Sequence, residues 1–132
     1  MNDNAFDLSI EELAYAMGVL GGSDTATGYL LGVLGQRPRL EVEGRLLAAA
    51  HGLVARGYLD FDAATGTSWL TDQLAEMIKP VVRNDYTLRL SRTSHGREEI
   101  ATMYVSDEGL VLHQLHQGVV SRLLRVPDLA GA

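Results

Sequence analysis

The order of hydrophobic periodicities along these 132 residues predicts an α+β fold, helices first and an antiparallel sheet last. Three observations carry that prediction. Apolar residues recur at three- and four-residue spacing up to about residue 80. Beyond residue 84 they alternate at period two. The breaks between the alternating segments are only a few residues long, too short for crossovers, so those strands must run antiparallel. The size and a hydrophobic content of 46% suit a single domain over 1–132, with a helical part over about 8–62 and a helix plus sheet over about 69–126.

The spacing predicts a first helix over 8–20. Ser9 followed by Glu12 is a capping box, in which the hydroxyl takes one orphan N–H and the carboxylate reaches back to another. Leu8 can staple onto Leu13, and Leu13, Met17 and Leu20 share a face. Gly21-Gly22 ends the helix, and Ser23 or Asp24 caps a shorter one through Tyr29, Leu30, Val33 and Leu34. The glycine-rich Gly18–Gly28 segment follows a helix and lacks a Gly-Lys-Ser/Thr ending, so it reads as a helix–turn–helix connector and not a phosphate loop.

After the Gly35–Pro38 break a longer helix spans about 41–56, with Val42, Leu46, Leu47, Ala50, Leu53 and Val54 as one apolar stripe and Gly57 as its stop. Tyr58–Asp62 reads as extended. Ala63–Ser68 reads as a hinge of small residues. A helix over about 69–80 follows, with Trp69, Leu70, Leu74, Met77 and Ile78 on one face, and Pro80 stops or kinks it. Four strands complete the chain: 86–92, 100–105, 110–115 and 119–126, joined by turns at 93–97, 107–109 and 116–118. They form an antiparallel meander.

Charge and composition exclude several function classes. The net charge is −6, and residues 1–78 hold 4 arginines against 11 acids. That disfavours a phosphate-backbone footprint, so nucleic acid is not the expected partner. With no cysteine there is no disulfide, thiolate metal site or cysteine nucleophile. Met1–Asp7 lacks a basic stretch followed by an apolar one, and no apolar run nears the ~20 residues that span a bilayer, so the expectation is a cytoplasmic protein.

No catalytic constellation emerges. His113 and His116, three apart on a strand, point to opposite faces and suit no zinc motif. His51 lies among helix alanines and His95 in a polar turn. Ser91, Ser94 and His95 are neighbours on a turn, not a preorganised triad, and no Gly-x-Ser-x-Gly elbow occurs. The adjacent carboxylates Glu11-Glu12, Glu98-Glu99 and Asp107-Glu108 read as solvated. No metal, cofactor or catalytic residue is expected. Arg83, Arg89, Arg92 and Arg97 form a candidate basic patch, although the solvent face of an amphipathic sheet explains them as simply. The last strand is apolar on both sides. Val111, Leu115, Val119, Val120, Leu123 and Leu124 are therefore the expected partner or dimer surface.

Two resemblances follow. Three helices over 8–56 and an extended Tyr58–Asp62 resemble the helical half of a winged-helix domain. The Leu46–Leu59 segment is similar to the end of many winged-helix recognition helices, yet it offers only Arg45 and Arg56 nearby, where a DNA reader needs basic and amide side chains. The second covers residues 8–126. The Leu8-Ser-Ile-Glu-Glu-Leu13 opening, the helix ending Ala55-Arg-Gly-Tyr-Leu59, the Trp69-Leu70 helix and the closing meander together resemble the EspG-type family associated with ESX (type VII) secretion, at half length. That resemblance implies a non-enzymatic, cytosolic chaperone or adaptor for helical secreted partners, with a homodimer rebuilding the two related halves of a full-length member. The alternatives are a winged-helix transcription regulator, with the Arg83–Arg97 cluster as its wing, or an acidic immunity-type protein.

Overall fold

The computed structural model describes residues 5–107, 109–116 and 120–126. The order is β1 (Ala5–Ser9), α1 (Ile10–Val19), α2 (Ser23–Leu34), α3 (Arg39–Ala55), β2 (Leu59–Asp62), β3 (Thr67–Leu70), α4 (Asp72–Val82), β4 (Tyr86–Ser94), β5 (Arg97–Ser106), β6 (Gly109–His116) and β7 (Val120–Val126). The chain is α+β, with an antiparallel five-stranded sheet ordered β1-β7-β6-β5-β4 and a separate β2–β3 hairpin. No helix among the described residues is long and apolar enough to cross a membrane.

Local signals determine the helix ends. Ser9 Oγ accepts from Glu12 N at 3.0 Å and Glu12 Oε1 accepts from Ser9 N at 2.8 Å, the complete capping box. At the far end Gly21 takes φ +85°, and Gly22 N donates to Met17 O at 2.8 Å, which closes the helix in a Schellman turn. Gly57, at φ +79°, closes α3 in the same way through Tyr58 N to Leu53 O at 2.9 Å. Gly22 also sits under α4: a Cβ there would lie 2.7 Å from Val82 Cγ1 and 3.1 Å from Met17 O. Gly22→Ala is expected to destabilise by about 1–2 kcal/mol through overpacking, read as a lowered urea midpoint with an unchanged slope.

Three expectations are corrected. Residues 5–9 are a strand, so the first helix starts at Ile10 and not at residue 8: Phe6 and Leu8 turn inward and Asp7 outward, and β1 pairs with β7, so the sheet has five strands and not four. Residues 63–66 are the turn of the β2–β3 hairpin and not a hinge, with Gly66 N donating to Asp62 O at 2.8 Å. Trp69 and Leu70 belong to β3, so the fourth helix starts at Asp72. It also runs through Pro80 to Val82. Proline removes the N–H that would have bonded Glu76 O, and Arg125 Nη2 donates to that carbonyl instead, at 2.7 Å.

The sheet has two distinct faces. Toward the helices point Phe6 and Leu8 of β1, Ser121 and Leu123 of β7, Val111 and His113 of β6 and Tyr104 of β5. These pack with Leu13, Met17, Leu53, Leu74 and Ile78 in the main core. The opposite face carries two cross-sheet rows of apolar residues, one of which is Leu88–Met103–Leu112–Leu124–Ala5 and the other Tyr86–Val105–Leu110–Val126. The main core includes none of these nine.

Candidate functional site

The two most exposed large apolar side chains among the described residues, Leu40 and Leu47, lie on α3. Pro38 starts the helix, and Arg39–Glu43 (2.9 Å), Arg37–Glu41 (3.9 Å) and Arg45–Glu41 (3.8 Å) are i,i+4 ion pairs along it. Arg45 Nη1 also reaches Glu11 at 2.8 Å and clamps α3 to α1. With that orientation Ala49, Ala50 and Leu53 face the core. Leu40, Leu47 and Val54 face outward, 81%, 60% and 47% exposed. They are seven residues apart, so they form one straight seam. Gly44, Ala48, His51 and Ala55 are also exposed on the helix. Leu31 of α2 is 52% exposed as well and borders a groove of about 540 Å³ lined by Leu30, Leu34, Pro38, Val42 and Leu46. Glu43 is the nearest charge on the seam's own side, and no arginine lies among Leu40, Leu47 and Val54.

The expected partner surface divides between the two sheet faces. Val111 and Leu123 are fully buried under the helices and are not available to a partner. Leu115 is on the same inner face but 43% exposed, beside the similarly exposed Ile100. Val120 and Leu124 lie on the outer face, half-buried. Val119 lies outside the described residues. The outer-face residues that the sequence reading passed over are Tyr86, Leu88, Met103, Val105, Leu110, Leu112 and Val126. Strand alternation was the signal for them.

Arg83 caps α4 and its Nη2 donates to Leu20 O at 3.0 Å, whereas Arg89 sits mid-strand on β4 opposite Thr102. In the β4–β5 ladder Arg92 stands opposite Glu99 and Arg97 opposite Ser94. The hairpin that follows α3 is β2–β3, which carries Asp60 and Asp62 and no arginine. The wing expected at Arg83–Arg97 is therefore not the hairpin next to α3.

One polar cluster does carry nucleophile-and-base chemistry on paper, and the sequence reading missed it. His113 Nε2 lies 2.9 Å from Ser121 Oγ, which lies 2.6 Å from Tyr29 Oη. His113 and Ser121 both sit on the inner face, diagonal across β6 and β7. His113 also stacks on Tyr104, with ring centroids 6.3 Å apart. Ser121 is fully buried and His113 is 8% exposed. Burial lowers the His113 pKa to about 4 and raises those of Tyr29 and Tyr104, so all three groups are neutral at pH 7. The arrangement is a satisfied core network: Tyr29 can donate to Ser121, and Ser121 to the imidazole. A nucleophile must be reached by a substrate, and Ser121 is closed off. Among the described residues no three His, Cys, Asp or Glu side chains converge as a metal site.

Compared with protein-family models and with curated proteins, the sequence matches none.

Proposed function

We propose that this chain is a non-enzymatic protein-interaction domain that binds an amphipathic helix of another protein along the outward face of α3. The observation that carries this reading is the outward Leu40–Leu47–Val54 seam of α3. Seven-residue spacing matches the knobs of a second helix, and exposed leucines on a helix are costly unless a partner covers them. Small residues between the leucines let that helix approach closely. The resemblance to EspG-type secretion adaptors agrees with a helical partner and a cytosolic place of action.

The duplex-binding reading has one observation in its favour, the order of three helices followed by a two-stranded hairpin. Against it, the third helix offers leucines and Glu43 where base-reading side chains would stand, and the hairpin offers Asp60 and Asp62.

The test starts with affinity capture on the tagged chain, with and without nuclease. The captured protein is then identified and purified, and its affinity measured by calorimetry. A helical protein whose binding falls at least about tenfold with Leu47→Glu, and resists nuclease, supports the proposal. Leu47 is exposed, so the variant should keep the parent's circular dichroism spectrum and melting point. Salt-dependent duplex binding weakened by Arg39→Ala or Arg45→Ala would replace this reading with the regulator.

A further inference from the structure

We propose that the free edge of β4 takes up an extended segment of another protein as an added antiparallel strand, in which apolar and polar residues alternate and an acidic residue stands opposite Arg89. β4 lies at one end of the sheet, with β5 as its strand neighbour. His95 and Gly96, at φ +53° and +76°, form the two-residue turn between them, and Ser94 pairs with Arg97. The residues that flank such a turn exchange both backbone hydrogen bonds, and such pairs alternate along an antiparallel ladder. Ser94, Arg92, Leu90, Leu88 and Tyr86 therefore bond to β5. Thr87, Arg89, Ser91 and Thr93 turn their N–H and C=O groups away from it, and among the described residues those groups meet no partner.

The two ends of the sheet differ. On β1, Arg56 Nη2 donates to Asp7 O at 2.5 Å and Glu12 Oε1 accepts from Ser9 N at 2.8 Å, so side chains occupy the backbone there. Edges that must stay empty are ordinarily short, bulged, covered, or marked by lysine or proline. β4 runs nine residues without lysine or proline, and its register with β5 is unbroken. Its outward groups recur every ~6.8 Å, the repeat of another strand. Main-chain bonds of this kind supply affinity, and alternate side chains supply specificity. Tyr86, Leu88 and Leu90 line one side of the edge, 51%, 39% and 48% exposed, and apolar residues of the added strand cover them. Thr87, Arg89 and Ser91 line the other side, all exposed. Arg89 forms no ion pair among the described residues, so a carboxylate directly opposite gains a cross-strand partner. β4 itself contains no acidic residue, so a second copy of the strand does not supply that charge.

The probe is the acetylated, amidated peptide VTVEVTV, with its glutamate set opposite Arg89 and its valines opposite Leu88, Leu90 and Tyr86. Fluorescence anisotropy of the labelled peptide with the full chain should show saturable binding with a Kd of about 10–100 μM. Amide exchange at Thr87, Arg89, Ser91 and Thr93 should slow at least about tenfold on binding. N-methylation of the threonines and glutamate removes the donors that face β4 and should abolish binding. N-methylation of the two central valines, whose N–H groups point away, should change it less than about twofold. Arg89→Glu, at an exposed position, should weaken VTVEVTV at least about tenfold and favour the peptide with lysine in place of glutamate. Leu47→Glu should leave the affinity unchanged, so this edge and the α3 seam stand or fail separately. Absence of saturable binding up to about 1 mM overturns the proposal. So does binding that survives N-methylation of the threonines and glutamate, or an edge already protected in the free protein by a second copy of β4.

Discussion

Acidification from pH 7 to pH 4 is expected to cost this fold about 3 kcal/mol through His113 alone. The imidazole is packed between Tyr104 and Tyr29, with Ser121 as its hydrogen-bond partner. Among the described residues no carboxylate contacts its ring, so nothing there offsets the burial of a charge. Burial lowers its pKa from 6.5 to about 4. In the unfolded chain it takes up a proton below pH 6.5, while the folded chain resists until about pH 4. Between those values the unfolded state binds more protons, so stability falls as pH falls. The contribution is complete above pH 6.5 and gone below pH 4. Each of the roughly 2.5 pH units is worth about 1.4 kcal/mol, against a total stability of order 5–15 kcal/mol for a domain of this size. Urea unfolding at several pH values between 4 and 7 reads the slope directly. His113→Phe keeps an aromatic ring between the two tyrosines and should flatten that slope. A His113→Phe protein with the parent's full slope across this window would assign the effect to other groups.

The same cluster marks where sequence reasoning reaches and where it stops. Ser9, Glu12, Gly21 and Gly57 act within a few residues of themselves, so the capping box and the helix stops were legible. β1 was not, because its partner β7 lies more than a hundred residues away, and Ala5–Ser9 alternates over only five residues. Trp69 and Leu70 followed the same logic: hairpin pairing with Leu59 and Asp60 overrode a helical spacing. Alternation places Val111 and Leu123 on one side of the sheet and Val120 and Leu124 on the other. Which side receives α1 and α4 is a tertiary outcome, since both sides are apolar. On α3 the apparent single stripe splits in two. Leu46 and Leu53 share the inward side, while Leu47 and Val54 lie about 100° around the helix and face out. The proposed binding seam was therefore hidden among residues that looked like core.

Glu12→Ala is expected to destabilise the fold by about 2 kcal/mol, at least as much as Gly22→Ala, because it removes a buried carboxylate that accepts from two partly buried donors. Glu12 is 8% exposed, and its Oε1 accepts from Ser9 N at 2.8 Å and from Arg56 Nη1 at 2.7 Å. Arg56 also donates to Asp7 O at 2.5 Å and lies 4.9 Å over the Tyr58 ring, which meets Phe6 edge-on. One carboxylate thus joins β1, the start of α1 and the end of α3. The opposing helix accommodates it with Gly52, where an added Cβ would sit 3.0 Å from Glu12 Oε2. Alanine removes half the capping box and leaves the Ser9 N–H and the Arg56 guanidinium without that acceptor. Glu12→Gln keeps an amide oxygen for Ser9 N–H and should cost about 1 kcal/mol, the difference reflecting charge. Arg56 is 39% exposed along its side chain, so solvent screens part of the pair and Arg56→Ala should cost less than Glu12→Ala. A double-mutant cycle between them separates cap from ion pair. Coupling of about 1 kcal/mol would assign a real share to Arg56. Coupling near zero, with Glu12→Ala still costly, would assign the loss to the cap, in which the Glu12 carboxylate accepts from the Ser9 N–H.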